Sequence, residues 1–245
     1  MKKCDSTNND PAPGSGKASF RCVHCLSRSP ELFHQYGAGG VLKLVTCPAC
    51  QGPVDPYIEC DTVLILLDLL LQRLEAYRHL LHNVPRLAHC WRLGVLFVLA
   101  KAYYKWVRER NEVPGLQDLE WHFYVKYLLA ASEMSINIII ILIALVCLRQ
   151  WSSVPGDSLR DWNFAQLLRG LTCASYGYSF LVFIIVWNQL GHLSYFVLCE
   201  LVRLISHVQT LRALLQISLP LSWLIVCCGF AGQLGFCYSC TGVLY

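Results

Sequence analysis

The spacing of hydrophobic and polar positions divides this chain into zones of different physical character. Residues 1–20 have no periodic apolar pattern, and Asn8, Asn9, Pro11, Pro13, Gly14, Ser15 and Gly16 mark them as a disordered lead. From Glu31 to Tyr36 and from Val41 to Thr46 short β-rich runs flank Gly37-Ala38-Gly39-Gly40, the signature of a hairpin whose turn admits positive φ. Thr62 to Leu71 is apolar except for Thr62 and Asp68, and Asp61 or Thr62 is placed to cap a helix running to about Leu81. Such a helix would be about 31 Å long. Its second half carries Gln72, Arg73, Glu75, Arg78, His79 and His82. A central charge costs about 2.5–3.5 kcal/mol in a spanning helix. The pattern therefore predicts an interfacial or shallowly re-entrant helix over 61–83. A soluble helix packed on the preceding module is the alternative.

Beyond residue 84 the apolar runs lengthen. Leu93 to Ala100 is an eight-residue apolar core before Lys101, which makes 93–107 a weak first-span candidate inside a basic, aromatic stretch at 84–126. Met134 to Leu148 has only Ser135 and Asn137 as polar residues and extends back to Tyr127, giving a span near 127–148. Gly170 to Trp187 is uncharged and predicts a span near 170–188. Ala213 to Phe236 is also uncharged and predicts one near 213–236, kinked at Pro220. A shorter candidate at 193–206 carries Glu200 and Arg203, which share a helix face at i, i+3 and can pair. A charge inside a span marks either a functional site or an interfacial helix whose charges snorkel. The expected fold is a multi-span α-helical membrane protein with a small N-terminal β module, its membrane domain covering 127–245.

Composition agrees. Hydrophobic residues make up 55% of the 245 and charged residues only 15%, against about 25% in soluble domains. Residues 127–245 hold five basic and four acidic side chains, while 61–126 hold nine and seven. Between Gln72 and Arg110, Tyr77, Trp91, Tyr103, Tyr104 and Trp106 interleave with eight Lys/Arg, as suits a cytosolic headgroup layer. A net charge of +4 without a basic patch built for base stacking excludes nucleic acid as a partner. Lys2 and Lys3 are not followed by the apolar stretch of a signal peptide. Arg149, Arg160 and Arg169 bias the 149–169 loop to the cytosol, which requires an even number of crossings before it.

The candidate chemistry lies at 21–60. Cys22-Val23-His24-Cys25 and Cys47-Pro48-Ala49-Cys50 are two CxxC pairs separated by 21 residues, near the spacing of a four-cysteine zinc site. Each CxxC turn supplies one edge of a thiolate tetrahedron at about 2.3 Å from the metal. Four thiolates close the shell, so the one Zn²⁺ is structural, and metal binding supplies much of the folding free energy of so small a module. His24 and His34 are weaker rivals as ligands. Zinc thiolates fit a reducing compartment, which places the module in the cytosol. Cys147, Cys173, Cys199 and Cys227 lie in apolar runs and read as small buried hydrophobes. Cys237 and Cys240 read as two interfacial thiols, able to form a disulfide only on the lumenal side.

Arg21 to Asn83 resembles the Arv family of endoplasmic-reticulum proteins. The resemblance is carried by the CxxC pairs, by Val54-Asp55-Pro56-Tyr57-Ile58-Glu59-Cys60-Asp61, and by Ala76-Tyr77-Arg78-His79-Leu80-Leu81-His82-Asn83. The family pattern has an aromatic where Cys60 and His82 stand. The resemblance implies a zinc-binding homology domain completed by 61–83, several spans, and an endoplasmic-reticulum location. It also implies a non-enzymatic role in sterol homeostasis and lipid transport from that membrane, with effects on sphingolipids and glycolipid-anchor precursors. Those lipids, and membrane-protein partners, are the expected ligands. Tyr57, Asp68, Tyr77, Arg78, His79, Glu200 and Arg203 are the candidate membrane- or lipid-surface residues. The rival readings are a subunit of a membrane lipid- or glycan-modifying enzyme complex, with Asp68, His79, Glu133, His192 and Glu200 as its available polar groups, and a zinc-dependent membrane ubiquitin ligase, which needs about eight interleaved ligands.

Overall fold

The computed structural model describes residues 20–36, 41–84, 90–112, 119–151 and 163–241. The lead, the turn at 37–40 and most of the 149–169 loop lie outside the described residues. The chain forms two compact units, one up to Ile58 and one from Glu59 onward.

The first unit is built from very short antiparallel strands. β1 (Phe20–Arg21) pairs with β2 (Arg28–Ser29), and β3 (Phe33–Tyr36) pairs with β4 (Val41–Leu44) in the register Phe33 to Leu44. The Val54 amide donates to the Val45 carbonyl at 2.8 Å, and the Val23 amide to the Val54 carbonyl at 3.0 Å, so the chain after the second CxxC returns to the first. Cys22, Leu32, Cys47 and Val54 form its small core, with Phe20, Val45 and Ile58 against them. Strands of two to four residues with so few apolar contacts lack the buried area that a free-standing fold needs.

The second unit is helical. α1 (Thr62–Leu70) and α2 (Leu74–Arg78), which runs on through a wide turn at His79–Asn83, replace the single helix expected to Leu81. The break is at Gln72, whose φ is +59°. Its amide nitrogen donates to Tyr176 Oη at 2.7 Å, and its Oε1 accepts from Tyr77 Oη at 2.9 Å. Tertiary hydrogen bonds hold a conformation that local propensity does not favour. His82 Nε2 lies 3.1 Å from the Ala213 carbonyl oxygen, and Gln166 Nε2 donates to the Leu81 carbonyl at 2.8 Å. Residues 59–83 thus pack within the helical unit. Val63, Leu64, Leu66, Leu67, Leu70 and Leu71 face outward, while Asp68 faces in.

α3 (Cys90–Glu112) and α4 (Leu119–Trp151) form an antiparallel hairpin, pinned near its tip by Lys126 and Glu109 at 3.1 Å. α5 (Phe164–Ala174) starts at Asn163, whose side chain accepts the Ala165 amide. It continues through a 3₁₀ turn (Ser175–Ser179) into α6 (Phe180–Val186). α7 (Leu193–Leu215) and α8 (Leu219–Thr241) complete the unit. α8 pairs Gln233 with Asn137 and Gly229 with Ile141, so it runs antiparallel to α4. Among the described residues, three segments are long and apolar enough to cross a membrane: Glu120–Gln150, Phe164–Val186 and Leu219–Cys240. The protein is a membrane protein, and its exposed side chains include many large apolar ones such as Ile139, Ile143, Phe183 and Leu224.

Several expected boundaries move. The segment expected near 170–188 begins at 164, because Asn163 supplies the cap. The 193–206 candidate is a 23-residue helix reaching Leu215, its charges folded inward. The 93–107 candidate belongs to a 23-residue helix, about 34 Å long, but Arg92, Lys101, Lys105, Arg108, Glu109 and Arg110 keep it out of the apolar class. Pro220 does not kink a span. α7 ends at Leu215, with Gln216 left-handed at φ +54°, and Pro220 sits in the first turn of α8, where its missing N–H costs nothing. Cys199 is buried and Cys173 partly so, but Cys147 and Cys227 are on outward faces.

Candidate metal centre and buried ion network

The two CxxC segments fold into matching knuckles. Leu26 N–H donates to the Cys22 carbonyl at 2.9 Å, and Gln51 N–H to the Cys47 carbonyl at 2.9 Å. Cys22 N–H donates to the Ser27 carbonyl, and Cys47 N–H to the Gly52 carbonyl. Leu26 and Gln51 both take φ of +62° to close these turns. The result brings all four sulfurs within 4.8 Å of one another. Cys22 Sγ lies 3.7 Å from Cys50 Sγ, and Cys25 Sγ lies 3.5 Å from Cys47 Sγ. A tetrahedron of thiolates at about 2.3 Å from zinc has edges of about 3.8 Å. The geometry and the soft donor set therefore fit a tetrahedral metal ion. Among the described residues this is the group of Cys, His, Asp and Glu side chains that could hold one. His34 instead pairs with Glu31 at 2.9 Å.

Ser27 went unnoticed in the sequence. Its Oγ lies 2.9 Å from Cys47 Sγ and 3.1 Å from Cys25 Sγ. That hydroxyl, aided by the Cys50 and Ala49 amides, lowers the Cys47 pKa to about 6. The same hydroxyl is the first cause that lowers Cys25. Cys22 moves the other way: burial pushes its thiol up to about 12. Cys47 and Cys25 are thus primed as thiolates, and Cys22 holds its proton until a metal displaces it.

The remaining candidates are mostly buried within the protein. Tyr57 is buried in the first unit, its amide donating to Asp55 Oδ1 at 3.1 Å. Tyr77 and His79 are buried in the helical unit, Arg78 is partly buried, and Asp68 is buried with Arg73 Nε at 3.5 Å. Tyr77 Oη joins Gln72, Tyr176 Oη (3.3 Å) and, through Gln72, Ser206 in a polar knot that fixes the α1–α2 break. These side chains hold helices together because each finds its polar partner inside the protein.

Glu200 and Arg203 do pair, Arg203 Nε donating to Glu200 Oε2 at 2.7 Å, and both are buried. They belong to a larger network. Lys101 of α3 and Glu133 of α4 are each 0% exposed, and Lys101 Nζ lies 2.8 Å from Glu133 Oε2 and 3.9 Å from Glu200 Oε1. Lys105 pairs with Glu133 Oε1. Lys101 also donates to Tyr178 Oη at 2.9 Å, and Arg203 lies over the Tyr178 ring at 5.3 Å. Helix periodicity alone could have grouped Lys101 with Lys105, one turn apart, but nothing local links them to Glu133 or to α7. Of the five polar groups open to an enzyme reading, Glu133 and Glu200 converge on Lys101. His192 is exposed at the start of α7, and Asp68 is engaged with Arg73.

A family model described as the Arv1-like family matches residues 21–211. The chain is 33% identical over 232 residues to Protein ARV1 of Homo sapiens, covering 92% of this chain and 83% of that protein. It is 26% identical to Protein ARV 1 of Arabidopsis thaliana, with 81% and 80% covered. To Protein ARV1 of Saccharomyces cerevisiae it is 41% identical over 66 residues, 27% of this chain and 20% of that one. No solved structure matches.

Proposed function

Since this chain belongs to the Arv1-like family, we propose that it is a non-enzymatic mediator of sterol homeostasis and of lipid transport out of the endoplasmic-reticulum membrane. Sphingolipids and glycolipid-anchor precursors are affected in turn. The carrying observation is that one continuous family match takes in both the cysteine site and the helices through most of α7. Metal module and membrane helices are therefore parts of one working protein. The metal is a single structural Zn²⁺ on Cys22, Cys25, Cys47 and Cys50, with no open position for a reacting water. The module faces the reducing cytosol. Membrane lipids, sterol among them, are the partners, together with proteins of the same membrane.

The test replaces the endogenous protein with the full chain or its Cys47→Ser variant. It then measures zinc content of the purified proteins and the partition of sterol between the endoplasmic reticulum and the plasma membrane. The expected result is a zinc-free variant and sterol retained in the endoplasmic reticulum. A Cys47→Ser protein that keeps its zinc and a normal sterol distribution would overturn the reading.

A further inference from the structure

Two cysteines outside the metal centre meet where α3 packs on α5. Cys90 opens α3, and Cys173 is the penultimate residue of α5. Cys173 Sγ donates to Cys90 Sγ at 3.0 Å. That is closer than the 3.5 and 3.7 Å between sulfurs at the metal centre. Two thiolates sharing one zinc ion stand about 3.8 Å apart. Among the described residues, no third Cys, His, Asp or Glu joins Cys90 and Cys173 to make a metal site. The two helices also approach closely here. A Cβ added at Gly94, one turn along α3 from Cys90, would lie 2.8 Å from Cγ2 of Thr172, the neighbour of Cys173. A disulfide needs Cα atoms only about 4.4–6.8 Å apart, and a glycine at a helix contact is what lets two backbones come near.

The two thiols differ in access. Cys90 is 3% exposed, whereas Cys173 is partly exposed. An oxidant therefore meets Cys173 first, with Cys90 in place to resolve it. Hydrogen peroxide is small and uncharged, and its two-electron reduction balances the step. The Cys173 sulfur attacks one peroxide oxygen as the O–O bond breaks. The Cys173 proton leaves with the other oxygen as water, and Cys173 becomes a sulfenic acid. The Cys90 sulfur then attacks the Cys173 sulfur. The S–S bond forms, the S–O bond breaks, and the hydroxyl departs with the Cys90 proton as a second water. Two thiols are oxidised and one peroxide is reduced.

We propose that Cys90 and Cys173 are a redox modification site, which hydrogen peroxide converts to a disulfide stapling α3 to α5. Exchange with a reducing dithiol opens it again. The staple closes a loop between positions 83 apart. Its effect is mechanical. Gln166 of α5 already holds the Leu81 carbonyl at 2.8 Å, and Lys101 of α3 donates to Tyr178, just past α5, at 2.9 Å. The disulfide adds a covalent tie to these hydrogen bonds and fixes the start of α3 to the end of α5. The zinc cysteines take no part, and the site stands apart from any role in lipid handling.

The experiment exposes the full zinc-loaded chain in neutral detergent to hydrogen peroxide, alkylates the remaining thiols, and maps the digest by mass without reductant. A peptide joining Cys90 to Cys173 is expected, two hydrogens lighter than the separate thiols and lost on treatment with dithiothreitol. The oxidised chain should unfold about 5–10 °C higher, as closure of a long loop predicts. Cys90→Ala and Cys173→Ala should each abolish both the joined peptide and the shift. Cys90→Ala should also leave Cys173 as a sulfenic acid that dimedone traps, and absence of that adduct would overturn the order of attack. Full alkylation of both thiols after peroxide, or a cross-link to other cysteines in their place, would show a packing contact only. A joined peptide without a rise in midpoint, or a rise that persists in Cys173→Ala, would overturn the staple. Should a variant fail to fold, the parent chain still decides through its own peptide map and midpoint.

Discussion

Ser27 shows how much a single hydroxyl decides at the metal centre. It reaches two of the four sulfurs, and it stands where neither CxxC pattern requires a particular residue. Ser27→Ala is expected to weaken metal affinity by roughly tenfold, the lower end of what outer hydrogen bonds contribute, with the four ligands intact. Competition against a chromophoric chelator measures it. The pH dependence follows from the same groups. Cys22, pushed up to about 12, carries its proton at neutral pH, so a metal must expel at least that proton on binding. Cys47, held near 6, is already thiolate above that pH and becomes a further protonated ligand below it. Metal affinity is therefore expected to fall as pH falls, with the slope steepening through about pH 6. Chelator competition across pH 8 to 5 checks the sign. Tyr77, Asp68 and His79 teach the opposite lesson: their types looked suited to a surface, and only the fold supplied the partners that draw them inside.

Between elements, close approach dominates. At Gly177 an added Cβ would lie 2.8 Å from the Cys199 carbonyl oxygen and 3.0 Å from the Arg203 amide nitrogen, both backbone atoms of α7. Neither can step aside as a side-chain tip would. Gly177→Ala is expected to cost about 1–3 kcal/mol, as overpacking does, and to loosen Tyr178 from Lys101 next to it. A lowered thermal midpoint in neutral detergent reads the cost. Gly229 of α8 is similar against Ile141 and the Asn137 carbonyl. The existence of the long helices was legible because runs such as Met134 to Leu148 leave little alternative to burial in lipid or protein. Their ends were less legible. Asn163, Gln72 and Gln216 act through a cap or a left-handed turn whose use depends on neighbours, and Pro220 suits a first turn as well as a kink.

For the whole molecule, the consequential feature is that charges scattered over α3, α4 and α7 meet inside a mostly apolar unit. Glu133 is the junction, held by two lysines. Glu133→Gln leaves Lys101 and Lys105 without their shared carboxylate and is expected to destabilise the helical unit by about 3–5 kcal/mol, the usual consequence of breaking a buried pair. The removal of both sides, in Lys101→Met with Glu133→Leu, should recover part of that loss. Thermal unfolding in detergent distinguishes the two. Topology is a separate question at this scale. Thiol labelling of Cys240, the exposed member of the C-terminal pair, in sealed microsomes is expected to report whether α8 ends on the same side of the membrane as Cys4.

The amino-acid sequence by itself determined that four cysteines at 22, 25, 47 and 50 form one metal-binding set, that long apolar helices follow, and that the family pattern runs through 21–83. Each is a consequence of local spacing: ligand intervals within a hairpin, uncharged length against bilayer thickness, and a short ordered motif. Only the tertiary structure decided where α1 breaks, which way the charges of α7 face, and that Lys101, Lys105, Glu133, Glu200 and Arg203 form one chain of alternating charge. Those depend on contacts between residues up to 134 positions apart, and a pair of side chains that far apart in sequence acquires an interaction energy only once the helices between them have packed.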